Sequence, residues 1–345
     1  MISELIEERA LPPFEEKEKM LDTLLREEYG YLPPKPMEMT WEVKENYVRN
    51  FCAGKAYMRR VDITCRMERG DFTFPVYASI PRGEGKFPFF VMINFRDNVP
   101  DLYLPAEELV DNGFAVLSFC YNDVTSDNGD FTNGLAGILY ENGKRRDTDA
   151  GKIAMWAWAA QRAMDYAVTL DCLDLSRACV CGHSRLGKTA MLAAATDERF
   201  TFAHSNNSGC SGAAITRGKV GERIASIYDH FPFWFCENYK KYANREDEMP
   251  FDQHWLAACI APRYFYVASA DEDKWADPDS EMLTCAAVGK LYESMGYEGF
   301  VFEDRLPKVG DVYHKGRVGY HLRGGAHYFG REDWQKLIAF INSKR

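Results

Sequence analysis

A serine lies in the segment VCGHSRLGKTA, residues 180–190, where a strand-like run meets small residues with helical spacing. A serine on a sharp turn between a strand and a helix exposes its hydroxyl and can attack an acyl carbonyl. Gly182 lies two residues before Ser184 and Gly187 three after it, which suits a crowded turn. The plainer alternative is that Ser184 only caps the helix. The alternation of strands and helices around it favours a nucleophile.

A serine nucleophile needs a general base, and a histidine that follows it in the chain is the expected partner. The chain has seven histidines. His183 directly precedes Ser184, and we expect its side chain to point away across the turn. His327 lies in GGAHYFGREDW, a loop between the last predicted strand and the last predicted helix. That position predicts His327 as the base, although an ordinary loop histidine is the alternative.

The acid that orients the base has two candidate positions. The segment SNNSGCSG after one predicted strand contains Asn207 but no carboxylate. The loop DEDKWADPDSE after the strand-like run PRYFYVASA offers several carboxylates. We assign the role to Asp273, with Asp277 and Asp271 as alternatives.

Two cations follow the serine on the first turn of the predicted helix. Arg185 and Lys188 are three residues apart, so they share a helix face. Cations at a helix start oppose the helix dipole, which suggests a use in binding or catalysis. Arg185 could stabilise an oxyanion, because a guanidinium is always charged and its donors are fixed. Lys188 could hold a hydroxyl or carboxylate of the substrate, and surface salt bridges are the alternative for both.

The predicted elements that position these residues form an α/β fold. An amphipathic helix at 15–29 is followed by long alternating runs that indicate antiparallel strands. The runs at 87–95 and 113–121 are almost wholly apolar, as in parallel strands buried on both faces. Strands and helices then alternate, which predicts a doubly wound, mostly parallel sheet with antiparallel N-terminal strands. The chain, 1–345, is predicted to be one domain, with residues 1–50 as an N-terminal helix and extension and 208–258 as an insertion over the site.

Composition restricts the partners and the compartment. The net charge of -10 and the pI near 5.3 argue against nucleic acid and anionic membranes as partners. No run of about 18 apolar residues is present, so no membrane-spanning helix is expected. The first twenty residues are acidic and lack the pattern of a signal peptide. The ten cysteines are scattered, and we interpret them as reduced thiols. Reduced thiols and the lack of a signal-peptide pattern together predict a cytoplasmic protein.

The segment GHSRLGK resembles the G-C-S-R-x-G-K nucleophile motif of glucuronoyl esterases, carbohydrate esterase family 15 of the α/β-hydrolase superfamily. It also resembles bacterial relatives often labelled acetylxylan esterases. Most of the chain shares the resemblance, including REEYGYLPP, YNDVTSDNGDFTNGL, FPFWFCENYKKY and DEDKWADP. By match to the motif, Ser184 is the nucleophile, Arg185 an oxyanion donor and Lys188 a uronate contact. Trp275 matches a tryptophan beside the sugar.

The chain also departs from the family pattern. His183 replaces the cysteine before the serine. Asn207 occupies one of the family's two acid positions, which leaves Asp273. The family's glutamine and glutamate that hold sugar hydroxyls should fall in the insertion, where His230, Glu237 and Asn238 are the nearest substitutes.

These residues together predict a serine carboxylic-ester hydrolase that needs no cofactor or metal ion. Its expected substrates are plant cell-wall carbohydrate esters or oligosaccharides, with 4-O-methyl-glucuronoyl esters first and acetylxylan as the alternative. A peptidase of the same fold would usually carry a propeller or cap domain, for which the chain has little room. A non-catalytic sugar-binding protein is the alternative of another class, because Asn207 leaves one acid position empty. The oligomeric state is not predicted.

Overall fold

Ten strands form one sheet at the centre of this computed structural model, which describes residues 1–344. In space the strands follow the order β1-β2-β3-β5-β4-β6-β7-β8-β10-β9. Their bounds are β1 Glu38–Lys44, β2 Ala56–Met67, β3 Gly70–Pro81, β4 Phe87–Asn94, β5 Ala115–Cys120, β6 Leu173–His183, β7 Phe202–Asn206, β8 Tyr264–Ala270, β9 Val312–Tyr313 and β10 Val318–Arg323.

The N-terminal part of the sheet is antiparallel and the rest is mostly parallel. Strands β1, β2 and β3 pair antiparallel, and β3 joins β5 in the same sense. From β5 through β4, β6, β7 and β8 to β10 every pair is parallel, and β9 closes the edge antiparallel to β10. This order confirms the predicted doubly wound sheet with antiparallel N-terminal strands.

Helices cover both faces of the sheet, which explains the unbroken apolar runs of its central strands. In β4, Phe89 and Val91 belong to one hydrophobic core, whereas Phe90 and Met92 belong to the other. The helices are α1 Ile2–Glu8, α2 Lys17–Leu24, α3 Ala106–Asp111, α4 Tyr121–Val124, α5 Gly134–Leu139, α6 Lys152–Ala167, α7 Arg185–Thr196, α8 Ile224–His230, α9 Gln253–Ala258, α10 Pro278–Ser294 and α11 Arg331–Asn342. Among residues 1–344, no helix has the length and apolar character needed to cross a bilayer.

The N-terminal extension packs against the segment predicted as an insertion. His254 bonds through Nε2 to the carbonyl of Pro12 at 2.8 Å, and the Trp255 indole donates to the carbonyl of Pro13 at 3.1 Å. The predicted helix at 15–29 is α2 followed by one π-helical turn, Leu25–Tyr29. Both segments contribute side chains to the larger hydrophobic core. The two segments are therefore joined by direct hydrogen bonds and by a shared core.

Candidate active site

Ser184 occupies a strained turn between β6 and α7. Its backbone has φ 59° and ψ -128°, a conformation that residues with a side chain rarely adopt. The amide of Ser184 donates to the carbonyl of Asn206 at 2.9 Å, which ties the turn to the end of β7. The Ser184 side chain makes no capping hydrogen bond to α7 in the described chain. The helix-cap alternative therefore does not account for this serine, and its strained backbone is typical of a functional turn.

The unusual spacing of the two glycines has a steric reason. A Cβ on Gly182 would lie 2.2 Å from the carbonyl oxygen of Leu186, on the first turn of α7. A Cβ on Gly187 would lie 3.0 Å from both Ser205 Oγ and Ser208 Cβ. Gly187 thus lets the helix approach the segment after β7, whereas Gly182 lets the chain reverse sharply.

His327 and Asp273 form a hydrogen-bonded pair. The Nδ1 atom of His327 lies 2.6 Å from Oδ2 of Asp273. The Asn207 amide donates to the same oxygen at 2.9 Å, and the amide of Ala276 donates to Oδ1 at 3.2 Å. Burial by itself would raise the pKa of Asp273, but the contacts with His327, Asn207 and Ala276 outweigh it and hold that pKa below its ordinary value. Asp273 is therefore an anion fixed against the imidazole at neutral pH.

The two alternative acids have other partners. Asp277 is the N-cap of α10, where it accepts from the amide and hydroxyl of Ser280, and it also accepts from the amide of Val220. Asp271 accepts from the amide of Gly325 at 2.8 Å. Of these three carboxylates, Asp273 is the one that the structure bonds to His327.

The loop that carries His327 is held by a buried ion pair. Arg323 contacts both oxygens of Asp333 through Nε at 3.0 Å. Its Nη2 atom donates to the carbonyls of Ala326 and Tyr328, at 3.1 and 2.6 Å, and these residues flank His327. Arg323 could not be recognised from the sequence, because a strand arginine carries no motif of its own.

His183 does not point away from the site, so that expectation was wrong. Its ring centroid lies 4.3 Å from that of His327, and the rings are tilted by 43°. Nδ1 of His183 lies 2.6 Å from Oδ1 of Asn206. Burial, with a smaller contribution from His327, lowers the pKa of His183 to about 3. His183 is therefore a neutral ring packed against the candidate base.

Ser184, His327 and Asp273 line one cavity of about 350 Å³. The other lining residues are Arg185, Lys188, Asn207, Ser208, Gly209, Glu222, Phe231, Trp234, Trp275 and Ala276. This volume is at the small end of the range of about 300–1,000 Å³ for ligand sites, so it suits a small ligand. A larger groove of about 500 Å³ has Tyr31 and Glu141 among its lining residues, but no serine, cysteine or histidine lines it.

Arg185 lines the cavity with its guanidinium fixed in place. It forms an ion pair with Asp127. The Trp234 indole donates to the other oxygen of Asp127 at 2.7 Å, and the Arg185 guanidinium carbon lies 4.7 Å from the centroid of that indole. The Arg185 Nε atom is buried with no hydrogen-bond partner in the described chain. Asp127 and Trp234, which were not predicted as site residues, thus position this cation.

Lys188 is buried, with a residue exposure of 2%. Its Nζ atom donates to the carbonyls of Ser208 and Cys210, at 2.7 and 2.5 Å, and to Oε2 of Glu222 at 3.0 Å. The expected contact between Lys188 and a sugar stays a prediction. The charge of Lys188 also fixes the loop at Ser208 and Cys210 and the carboxylate of Glu222, which lines the cavity too. Glu222 could not be recognised from the sequence, because its part of the predicted insertion has no recognisable pattern.

His230 and Glu237 are not among the described residues that line the cavity, contrary to expectation. His230 ends α8 with an exposed ring and bonds through Nδ1 to the carbonyl of Ser226 at 3.0 Å. Glu237 forms an ion pair with Arg145 at 3.2 Å. The turn after α8 instead directs Phe231 and Trp234 to the cavity, their rings stacked 4.1 Å apart.

Trp275 lines the same cavity, as expected, and 56% of it is exposed. An exposed indole at the cavity rim provides a flat apolar surface for a sugar ring. Among residues 1–344, no three His, Cys, Asp or Glu side chains form a group that could hold a metal ion.

The family model described as "Glucuronyl esterase, fungi" matches residues 63–296. A carbohydrate esterase, MZ0003, from an unknown prokaryotic organism is 38% identical over 238 residues, which is 68% of this chain and 55% of that protein. A 4-O-methyl-glucuronoyl methylesterase of Podospora anserina is 27% identical over 287 residues, or 80% of this chain and 55% of that protein. The chain thus spans about half the length of these two curated relatives.

Solved structures show the same likeness over nearly the whole chain. A glucuronoyl esterase from Solibacter usitatus has a TM-score of 0.86 and 31% identity, covering 95% of this chain and 91% of that one. A promiscuous esterase of carbohydrate esterase family 15, from a marine bacterial metagenome, has a TM-score of 0.84 and 28% identity at the same coverage.

Proposed function

This chain belongs to the glucuronoyl esterase family, carbohydrate esterase family 15, and on that premise we propose that it is a serine-type carboxylic-ester hydrolase. Its substrates are glucuronate esters, with or without the 4-O-methyl group, in plant cell-wall carbohydrate. The observation that carries the proposal is one cavity lined by Ser184, the His327–Asp273 pair, the Lys188–Glu222 pair and Trp275.

The first chemical step is acyl transfer to Ser184. With Nδ1–H of His327 donated to Asp273, Nε2 is the basic nitrogen and takes the proton as Ser184 Oγ attacks the ester carbonyl. The same proton then goes to the departing alcohol, and water hydrolyses the acyl-enzyme with His327 again as base. Asp273 stabilises the imidazolium and fixes its orientation.

The negative charge of the tetrahedral intermediate develops beside the start of α7. The first amides of a helix have no partner within the helix, and the helix dipole favours an anion there. The guanidinium of Arg185, ion-paired with Asp127, adds a cationic hydrogen-bond donor to the same cavity. Because Asp127 and three aromatic rings hold Arg185, little reorganisation is needed when the oxyanion forms.

Whereas a cation faces the oxyanion, a carboxylate recognises the sugar of the substrate by accepting hydrogen bonds. A uronate whose carboxyl is esterified carries no charge, so its hydroxyls are its main polar handles. Glu222, ion-paired with Lys188, can accept hydrogen bonds from them. Trp275 packs against a face of the ring. This arrangement favours a uronate ester over a small acetyl ester, which offers no hydroxyl of its own in the acyl group.

The proposal is tested by comparing two substrates with purified protein. We expect hydrolysis of the methyl ester of 4-O-methyl-glucuronate with a kcat/KM well above that for acetylated xylo-oligosaccharides. Ser184→Ala, with an unchanged melting temperature, is the control for contaminating esterase. A preference for the acetylated substrate would overturn the uronate assignment in favour of a deacetylase. Binding of the methyl ester without turnover of either substrate would overturn the enzyme assignment in favour of a sugar-binding protein.

A further inference from the structure

His183 covers one face of the proposed general base. Its ring centroid lies 4.3 Å from that of His327, whose side chain is otherwise 43% exposed. His183 itself is buried. The nucleophile turn thus supplies two successive side chains to the site, since His183 contacts the base and Ser184 lines the cavity.

The His183 ring is fixed from three sides. Its Nδ1–H donates to Oδ1 of Asn206, the last residue of β7, at 2.6 Å. Tyr103 stacks on it with the ring centroids 5.6 Å apart and an interplanar angle of 29°, and Phe95 meets it at 75° with the ring centroids 6.1 Å apart. Two adjacent residues at the end of β7 therefore support the two histidines. Asn206 bonds to His183, and Asn207 bonds to the carboxylate that contacts His327.

Burial and the neighbouring His327 keep His183 uncharged, although Asn206, Asp333 and Asp273 favour its charged form. His327 faces it from the loop after β10, Asn206 and Tyr103 contact it directly, and the carboxylates of Asp273 and Asp333 act from further away. Burial and His327 lower the pKa of His183 to about 3, so the ring is neutral under working conditions. A neutral ring does not repel the imidazolium that forms on His327 during the reaction.

We propose that His183 is a positioning residue, whose neutral ring holds His327 in the orientation that Asp273 sets and keeps water from one face of it. Within the described contacts, His327 has a single side-chain hydrogen bond, through Nδ1. One such bond fixes a point on the ring but leaves the ring free to tilt, and a misplacement of about 1 Å can cost on the order of 100-fold in rate. The inference rests on the proposed function, because it takes His327 to be the base.

The test separates ring packing from the polar chemistry of His183. His183→Ala removes the ring. The double variant His183→Phe with Asn206→Leu restores an aromatic ring and removes the amide that would otherwise lose its partner. We measure kcat and KM on the methyl glucuronate ester. We also measure the rate at which an alkyl 4-nitrophenyl phosphonate labels Ser184. In that reaction Oγ bonds to phosphorus, 4-nitrophenolate leaves and His327 takes the proton, so the probe needs no sugar.

We expect His183→Ala to lower kcat and the labelling rate about tenfold with KM within twofold, and the double variant to recover most of both losses. If His183→Ala does not fold, His183→Cys, with the family's residue, makes the same comparison. An alanine or cysteine variant as fast as wild type would overturn the inference, as would a double variant no faster than the single one. Absence of wild-type labelling at Ser184 would also overturn it. Normal labelling without cleavage of the uronate ester would overturn only the substrate proposal.

Discussion

Asn207 donates a hydrogen bond to Asp273, through the same carboxylate oxygen that contacts His327. The resemblance to known esterases places an acid at either of these two positions. In this chain the amide at one position supports the carboxylate at the other. The empty acid position that suggested a non-catalytic protein is therefore part of the hydrogen-bonded group around His327.

Exchange of Asp273 and Asp277 for asparagine should separate orientation of the base from capping of a helix. Asp273→Asn should lower kcat by a factor on the order of 10³ or more, because the imidazole loses its orienting anion. Asp277→Asn should retain most of kcat, and asparagine still serves as the N-cap of α10. Steady-state kinetics and thermal unfolding of both variants provide the check. A crippled Asp277→Asn beside a mild Asp273→Asn would reverse the assignment.

Arg323→Lys should impair catalysis without weakening substrate binding. A lysine keeps the charge next to Asp333 but cannot also reach the carbonyls on both sides of His327. We expect kcat to fall about 10- to 100-fold with KM within twofold. Arg331→Lys is the matched control, since Arg331, the first residue of α11, forms an exposed ion pair with Glu108. Equal losses in the two variants would contradict a specific role for Arg323.

Much of the fold followed from sequence, because apolar runs and helix periodicity are local properties. The helix predicted to begin directly after Ser184 is α7, which starts at Arg185. The candidate triad could be assigned because the fold fixes its order along the chain. The sequence favoured Asp273 but left Asp271 and Asp277 open as alternatives, since three nearby carboxylates look alike until their partners are known.

Site residues were predicted least well in the segment 208–258, the predicted insertion. His230 and Glu237 were chosen by proximity in sequence, but an exposed helix end and an ion pair with Arg145 take them away from the cavity. Glu222 reaches it because Lys188, from α7, pairs with it across 34 positions of sequence. Such a pair depends on the path of the chain and leaves no local pattern.

Glu222→Gln should raise KM for the methyl glucuronate ester several-fold and leave kcat nearly unchanged, the behaviour expected for loss of uniform binding. The same change should have little effect on 4-nitrophenyl acetate, which carries no sugar. Lys188→Ala is a poorer probe, because removal of one partner of a buried ion pair destabilises a protein by about 3–5 kcal/mol. Equal losses on both esters would show that Glu222 supports the reaction centre and does not recognise the sugar.

Glu281 should make stability depend on pH. It is buried on α10 and accepts from the amide of Gly209 at 2.9 Å. Burial raises the pKa of Glu281 to about 8, although the contacts with Gly209 and Ser269 favour the charged form. Between the unfolded pKa near 4.5 and about 8, the folded state holds a proton that the unfolded state has released. This contribution to the free energy of unfolding is complete below the lower value and is lost as pH rises toward 8.

Thermal unfolding of wild type and Glu281→Gln across pH 5 to 8 is the measurement, because glutamine keeps the shape but does not titrate. The melting temperature of the variant should rise relative to that of wild type as pH increases. A difference that is constant across this range would contradict a protonated Glu281 in the folded protein.

The central claim is that Ser184 is the nucleophile of an ester hydrolase. The most direct measurement is kcat/KM of Ser184→Ala on the methyl ester of 4-O-methyl-glucuronate, together with thermal unfolding to show that the variant folds. We predict a loss of at least about 10³-fold, or roughly 4 kcal/mol in the barrier, with an unchanged melting temperature. Activity within about tenfold of wild type, roughly 1.4 kcal/mol, would contradict the account.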